Sequence, residues 1–267
     1  MRNAMVVVKG TIIGGTMLVP GVSGGSMAII LGIYDKLITS VSSFGKHKLE
    51  SFLFLLLFVA GGFLGIFLFS RPILYMIQQY PMPMLYFFLG AVAGGIPLIL
   101  RKAQVRSFSF RGLGYVMLGV IIVAALSMIP MESSQSRLET GLLGIFLLML
   151  AGFIAAIALV LPGISVSYLL LIAGLYDETM QAISQFYMPF LIPLGIGLLL
   201  GILLTTRLLE KAMLAYPQPT YLMILGFVLG SLIEVFPGVP SGWQILLCIV
   251  TMFAGFAAIM WLSRKEG

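Results

Sequence analysis

Charge is what this sequence has least of: 9% of its 267 residues are Asp, Glu, Lys or Arg. A soluble globular chain carries about 25%, and a chain so poor in charge could not cover its surface with polar groups. The composition excludes a water-soluble domain, and a mean hydropathy of +1.14 indicates an integral membrane protein. Cysteine is almost absent too. Cys248 stands alone in an apolar run, which excludes an intramolecular disulfide and any cysteine-built metal cluster. The single histidine, His47, lies in the charged stretch GKHKLE and reads as a solvated loop residue. No metal-ligand spacing occurs, so no metal and no cofactor are expected. Nor is there a Ser-His-Asp set, a paired-carboxylate site or a nucleotide fingerprint, and an enzyme is not expected. The net charge of +6 is scattered at the ends of apolar runs, which is how topology signals look and not how a nucleic-acid footprint looks. Near the N-terminus Lys9 interrupts the apolar stretch and no small-x-small cleavage site follows, so this end reads as mature protein.

What the chain does have is apolar length, punctuated by 31 glycines and 13 prolines. The uncharged windows are 10–34, 51–70, 72–100, 112–131, 140–176, 179–206, 212–233 and 235–263. None alternates as a barrel strand would, and a membrane helix needs about 20 residues. The expected fold is therefore an all-α polytopic membrane protein. Six windows make ordinary spans at about 51–78, 84–101, 112–130, 187–209, 219–236 and 243–263. The other two carry PGVSGGS at 20–26 and PGISVS at 162–167. Proline with glycine ends one helix and serine caps the next, which predicts two re-entrant hairpins, at about 5–40 and 140–180. Residues 140–161 are long enough to cross instead.

Lysine and arginine placement orients this arrangement. One face holds Arg2, Lys36, Lys46, Lys48, Arg101, Lys102, Arg106, Arg111, Lys211, Arg264 and Lys265; the other holds Arg137 with Glu132, Glu139, Asp177 and Glu178. The basic face is cytoplasmic by the positive-inside rule, with both termini inside. The chain also repeats itself. A shift of 142 places Gly10, Pro20, Gly21, Ser23, Gly32, Tyr34 and Asp35 on Gly152, Pro162, Gly163, Ser165, Gly174, Tyr176 and Asp177. A shift of 136 places Gly61, Gly65, Arg71, Tyr80, Pro81, Pro83, Gly90 and Gly94 on Gly197, Gly201, Arg207, Tyr216, Pro217, Pro219, Gly226 and Gly230. Residues 1–131 and 132–267 thus form two halves of one membrane domain, each a hairpin plus three spans. An odd number of crossings inverts the second half, and an inverted repeat with broken helices marks a secondary transporter. A duplicated scaffold without transport is the plainer alternative.

The turns suggest what is carried. Glycine lets backbone N–H groups approach a ligand, and a helix start favours an anion; close packing of small residues explains such turns equally well. Lys9, Arg71 and Arg207 lie within or at the edges of apolar runs, where a charge is costly and a functional candidate, unless it snorkels to the interface. Arginine's planar fork suits phosphate oxygens. Candidate head-group contacts are Lys9, Ser23, Gly24, Gly25, Ser26, Arg71, Ser165, Ser167 and Arg207. Asp35 and Asp177 are candidates for ion coupling or for capping the hairpins. Glu210, three residues after Arg207, is expected to pair with it.

The strings KGTIIGGTMLVPGVSGGSMAIILGIYDKLI at 9–38 and ALVLPGISVSYLLLIAGLYDE at 158–178 resemble the bacterial polyprenyl-phosphate transporter family over essentially the whole chain. The resemblance implies a multi-pass protein of the cell membrane that moves undecaprenyl phosphate from the outer to the inner leaflet, recycling the lipid carrier of cell-wall glycans. It also implies that Lys9, Pro20, Gly21, Ser23, Gly24, Gly25, Pro162, Gly163 and Ser165 form the head-group region. Val166 departs from the family's second motif, which has glycine there. A small phosphate-like anion as cargo, a membrane enzyme acting on lipid phosphates and a purely structural partner protein are the competing readings.

Overall fold

The computed structural model describes residues 3–19, 22–45, 47–105, 109–128 and 141–264. Pro20, Gly21, Arg2, Lys46, Arg106, Lys265 and the expected outer loop with Glu132, Arg137 and Glu139 lie outside the described residues. The side chains of Ser167 and Glu234 do as well. Within the described residues the chain is all helix and falls into two runs of six. The first run is α1 (Asn3–Thr16), α2 (Gly24–Ile30), α3 (Tyr34–Ser42), α4 (Lys48–Gln79), α5 (Pro81–Lys102) and α6 (Phe110–Ser127). The second is α7 (Leu142–Val160), α8 (Val166–Ile172), α9 (Tyr176–Ser184), α10 (Met188–Ala215), α11 (Pro217–Val235) and α12 (Gln244–Arg264). Five helices, α4, α5, α7, α10 and α12, are long and apolar enough to cross a membrane, while α6 and α11 are apolar but shorter. The protein is a multi-pass membrane protein.

The breaks between elements recur along with the elements. Gly32 and Gly174 follow α2 and α8 with φ of 69° and 67°, left-handed values that cost an L side chain about 1–2 kcal/mol. In each case the next residue reaches back across the end of the helix, Ile33 N–H to Ala28 O at 3.0 Å and Leu175 N–H to Leu170 O at 2.9 Å. This is the Schellman closure that satisfies an end-turn carbonyl. At the other junction type, Tyr80 and Tyr216 hold φ/ψ of −134°/59° and −134°/64°. Each precedes a proline, which excludes the α region for the residue before it and starts the next helix at its first position.

Helix pairs are held by backbone approach at glycine. A Cβ on Gly61 would run into Val7 O and one on Gly65 into Thr11 O, while one on Gly10 would lie 2.5 Å from Phe58 O. The contacts of α7 with α10 repeat these at the same shifts: Gly197 on Met149 O, Gly201 on Phe153 O and Gly152 on Leu194 O. The remaining long helices pair across the two runs. Gly90 and Gly94 of α5 meet Met252 and Phe256 of α12, and Gly226 and Gly230 of α11 meet Val116 and Val120 of α6. In all four pairs the residue numbers rise together, so the partners are parallel. Gly15 near the end of α1 lies level with Gly65 and Phe69, and α4 begins 17 residues before Gly65 at Lys48, about 25 Å back at 1.5 Å per residue. The start of α4 at Lys48 therefore lies well before the level at which α1 ends.

Candidate functional site at the two turns

Ser23 starts α2 as its N-cap, with extended φ/ψ of −82° and 135°, and its Oγ accepts the Ser26 N–H at 3.4 Å. The same oxygen accepts the N–H of Gly163 from the other turn, also at 3.4 Å. Gly163 has φ +84° and its Cβ would strike the Phe227 carbonyl, so a side chain is excluded twice over. Gly25 completes the junction, because a Cβ there would lie 3.1 Å from Pro162 Cα. Ser23 and Gly25, at the start of α2, thus meet Pro162 and Gly163 of the second turn, 142 residues from their counterparts in sequence.

They form part of the wall of a cavity of about 1010 Å³. Ser23, Gly24 and Gly25 line it from the first turn, and Gly163, Ser165 and Val166 from the second; Tyr34, Tyr176 and Thr206 add hydroxyls. The rest is aliphatic and aromatic surface from α1, α3, α4, α7 and α10, such as Ile13, Leu37, Phe58, Leu159 and Ile202. Every described residue that lines it is uncharged. Thr206 is spent within its own helix, donating to Ile202 O at 2.7 Å. The cavity therefore pairs a long apolar wall with a small polar spot at the turns.

The sequence-derived candidates divide accordingly. Ser23, Gly24, Gly25 and Ser165 line the cavity. Ser26 is buried beside them, and its Oγ has no hydrogen-bond partner among the described residues. Lys9 is 2% exposed and its Nζ donates to Leu31 O at 2.7 Å, tying α1 to the end of α2 without lining the cavity. Arg71 and Arg207 are exposed on α4 and α10 and do not line it. Ser167 is in the first turn of α8. Asp35 forms an ion pair with Lys102 at the end of α5, and the Lys102 Nζ also lies 5.9 Å from the centre of the Tyr221 ring. Asp177 is exposed and has no such pair among the described residues. The expected Glu210–Arg207 pair does not form. Glu210 instead accepts from Ser42 Oγ at 2.5 Å, because α3 packs against α10 on the side where Glu210 is half-buried, while Arg207 is exposed. No group of three or more His, Cys, Asp or Glu side chains among the described residues could hold a metal.

Sequence reasoning missed Tyr34 and Tyr176 as site residues, although both stand in the repeated Gly-x-Tyr-Asp string. Tyr34 is buried and its hydroxyl donates to Val160 O at 2.7 Å; Tyr176 is half-buried on the cavity wall.

Comparison with known proteins adds the family. Residues 13–244 match a family described as VCA0040-like, undecaprenyl phosphate translocase-like. The chain is 33% identical to the polyprenyl-phosphate transporter of Staphylococcus aureus, over 97% of this chain and 95% of that one. It is 28% identical to the polyprenyl-phosphate transporter of Vibrio cholerae, over 86% of this chain and 76% of that one. No solved structure matches it. A match over this much of the chain, with a relative similar along nearly its whole length, decides the matter: the chain belongs to the undecaprenyl phosphate translocase-like family.

Proposed function

We propose that this protein transports polyprenyl phosphate across the cell membrane, from the outer to the inner leaflet, as a non-enzymatic lipid flippase that returns the carrier for cell-envelope synthesis. The observation that carries the reading is the cavity itself, a polar spot at two touching turns continuous with a long apolar wall. A phosphate cannot cross about 30 Å of hydrocarbon without hydrogen-bond donors and charge compensation. An isoprenoid tail needs only apolar surface. The chemistry of the cavity matches both ends of such a lipid, and its two relatives are named for transport of this lipid class.

The halves act as an inverted repeat, each a re-entrant hairpin followed by three spans, with both termini cytoplasmic. Supporting this are the parallel α1–α4 and α7–α10 pairs and the recurrence of the same glycine contacts at shifts of 142 and 136. The head group is held by the hydroxyl and N–H groups of Ser23, Gly24, Gly25, Ser26, Ser165 and Ser167. Lys9 holds the first hairpin in shape. Arg71, late in α4, and Arg207, late in α10, lie toward opposite faces of the membrane in this topology, where each guides the phosphate into or out of the cavity. Asp35 and Asp177 sit where ion coupling would be read.

Proteoliposomes loaded with labelled polyprenyl phosphate test the proposal directly. The expected result is leaflet exchange that needs the protein, falls at least tenfold in Arg71→Ala and Arg207→Ala, and is not inhibited by inorganic phosphate. Uptake of inorganic phosphate without lipid movement would instead make the cargo a small anion, and release of phosphate from the lipid would make the protein an enzyme.

A further inference from the structure

Tyr34 and Tyr176 are counterparts in the repeat, and so are the carbonyls near them. Val160 ends α7 and Leu18 follows α1, and these residues too are related by the shift of 142. A helix end leaves its last carbonyls without intrahelical partners. Val160 O is satisfied, because the Tyr34 hydroxyl donates to it at 2.7 Å. No hydrogen bond to Leu18 O and none from the Tyr176 hydroxyl is seen among the described residues, and both residues line the cavity. One half of a symmetrical pair of bonds is therefore made and the other half is open.

The packing is unequal in the same sense. Return arm α3 of the first hairpin packs against α10 of the other half, whereas α9 packs on α8 and α10 of its own half. Through this contact the first hairpin's return arm bridges the two halves, whereas the second hairpin's return arm stays within its own.

We infer that Tyr34 and Tyr176 are an exchanging pair of gate and substrate ligand, a step beyond the proposed transport that rests on its inverted-repeat reading. In the state described, Tyr34 seals its hairpin against Val160 O while the Tyr176 hydroxyl faces the cavity and donates to the phosphate. In the opposite state Tyr176 seals against Leu18 O, and Tyr34 is released to hold the same phosphate. With the phosphate bound, each hydroxyl has an acceptor in both states, and a buried donor left unmade would cost about 1–3 kcal/mol.

Two cysteine pairs report the two states in a Cys248→Ser background. Ser42→Cys with Glu210→Cys spans a contact made here, and Ser184→Cys with Leu74→Cys spans its repeat counterpart. Tyr34→Phe is expected to lower cross-linking of the first pair and raise that of the second, about five- to tenfold in their ratio. Tyr176→Phe is expected to move the ratio the other way and to raise the half-saturating concentration of polyprenyl phosphate several-fold from the outer face. An unchanged ratio, a shift in the same direction for both variants, or unchanged half-saturation in Tyr176→Phe overturns the exchange. The cross-links need no lipid, so a ratio that moves as expected in a protein that fails to transport polyprenyl phosphate would reject the cargo and leave the gate standing.

Discussion

The two broken-helix segments share a sequence pattern, the lengths of α2 and α8 and of α3 and α9, and the closure at Gly32 and Gly174, yet they sit in different surroundings. The first is built into the main core: Met27, Ile29, Ile30, Ile33 and Tyr34 pack in one cluster with Ala91 and Ile99 of α5 and with Ile224 and Val228 of α11. The second is spread over three smaller clusters: Leu170 and Leu175 with Ala155 of α7, Ile164 with Val123 of α6 and Phe227 of α11, and Ala182 of α9 with Leu148 and Phe190. Polar contacts follow the same division. Lys102–Asp35, Ser42–Glu210, Lys9–Leu31 O and Tyr34–Val160 O all fasten the first hairpin. The repeat positions of Lys102 and Glu210 are Gly238 and Leu74, so the second hairpin has no side chains with which to copy two of these. The first segment carries four such contacts among the described residues, and two of them have no side-chain counterpart in the second.

The largest test of the comparison is at the point where the hairpins touch. Gly25→Val should force the first turn off Pro162 and break the Ser23–Gly163 hydrogen bond, since even a Cβ lies 3.1 Å from the Pro162 backbone. Transport should fall at least tenfold while the helical circular-dichroism signal stays near wild type. Gly163→Ala should be worse for the fold, combining a positive φ with a collision against the Phe227 carbonyl. A loss of at least about 2 kcal/mol, read as a fall in Tm, follows from strain of this kind. Gly24→Ala is the control: its Cβ meets only the flexible Met17 side chain, at 3.0 Å, and its repeat mate is already Val166. It should be tolerated. If Gly24→Ala and Gly25→Val behave alike, the turns do not touch as described.

The next test removes the charged latch. Lys102→Ala takes away the cation that pairs with the Asp35 carboxylate, whose Oδ1 is buried without a hydrogen bond among the described residues. Both side chains are partly exposed, so the loss is about 1–2 kcal/mol, less than for a fully buried pair, and it moves the sealed-to-open ratio about tenfold. Reactivity of a cysteine at Val41, on α3 beside the cavity, toward a membrane-impermeant thiol reagent should rise accordingly. The double variant Lys102→Met with Asp35→Asn should recover part of the sealed population. Asp177→Asn, the counterpart on the unlatched hairpin, should change nothing in the same assay. Equal effects of Lys102→Ala and Asp177→Asn would erase the distinction between the hairpins.

What was legible in the sequence was whatever is local. Pro-Gly and Gly-x-Tyr-Asp break helices by backbone sterics alone, and the charged loops mark where apolar windows end. The helices of the described residues accordingly stop and start near those signals. Partner choice is a property of the fold and was not legible. Lys102 meets Asp35 across 67 positions, and nothing in either window names the other. Lys9 reads as a candidate for the ligand site, and its sequence window does not announce that it also donates to Leu31 O. Arg71, Arg207 and Glu210 show why: a helix that is apolar all round has no polar stripe to say which face meets protein and which meets lipid. The i,i+3 spacing of Arg207 and Glu210 permits a pair, but α3 lies against Glu210 and takes it.

The smallest expected effect comes from the serine latch. Ser42 Oγ donates to the Glu210 carboxylate at 2.5 Å, a hydrogen bond to a charged acceptor worth about 1.5–3 kcal/mol when fully shielded. Here both residues are half-buried, so water competes for both partners and about 0.5–1 kcal/mol is the expected share. Ser42→Ala should therefore open the sealed side two- to fivefold, less than Lys102→Ala. Glu210→Gln, which keeps an oxygen for the serine to reach, should do less still. The two latches lie on different helices, α5 and α10, but both hold α3. If α3 moves as one rigid piece, Ser42→Ala combined with Lys102→Ala should shift the equilibrium by the sum of the two free energies, because the contacts share no atoms. A double variant no more open than Lys102→Ala alone would mean that α3 unzips from its N-terminal end, with the Ser42 contact already lost once Asp35 lets go.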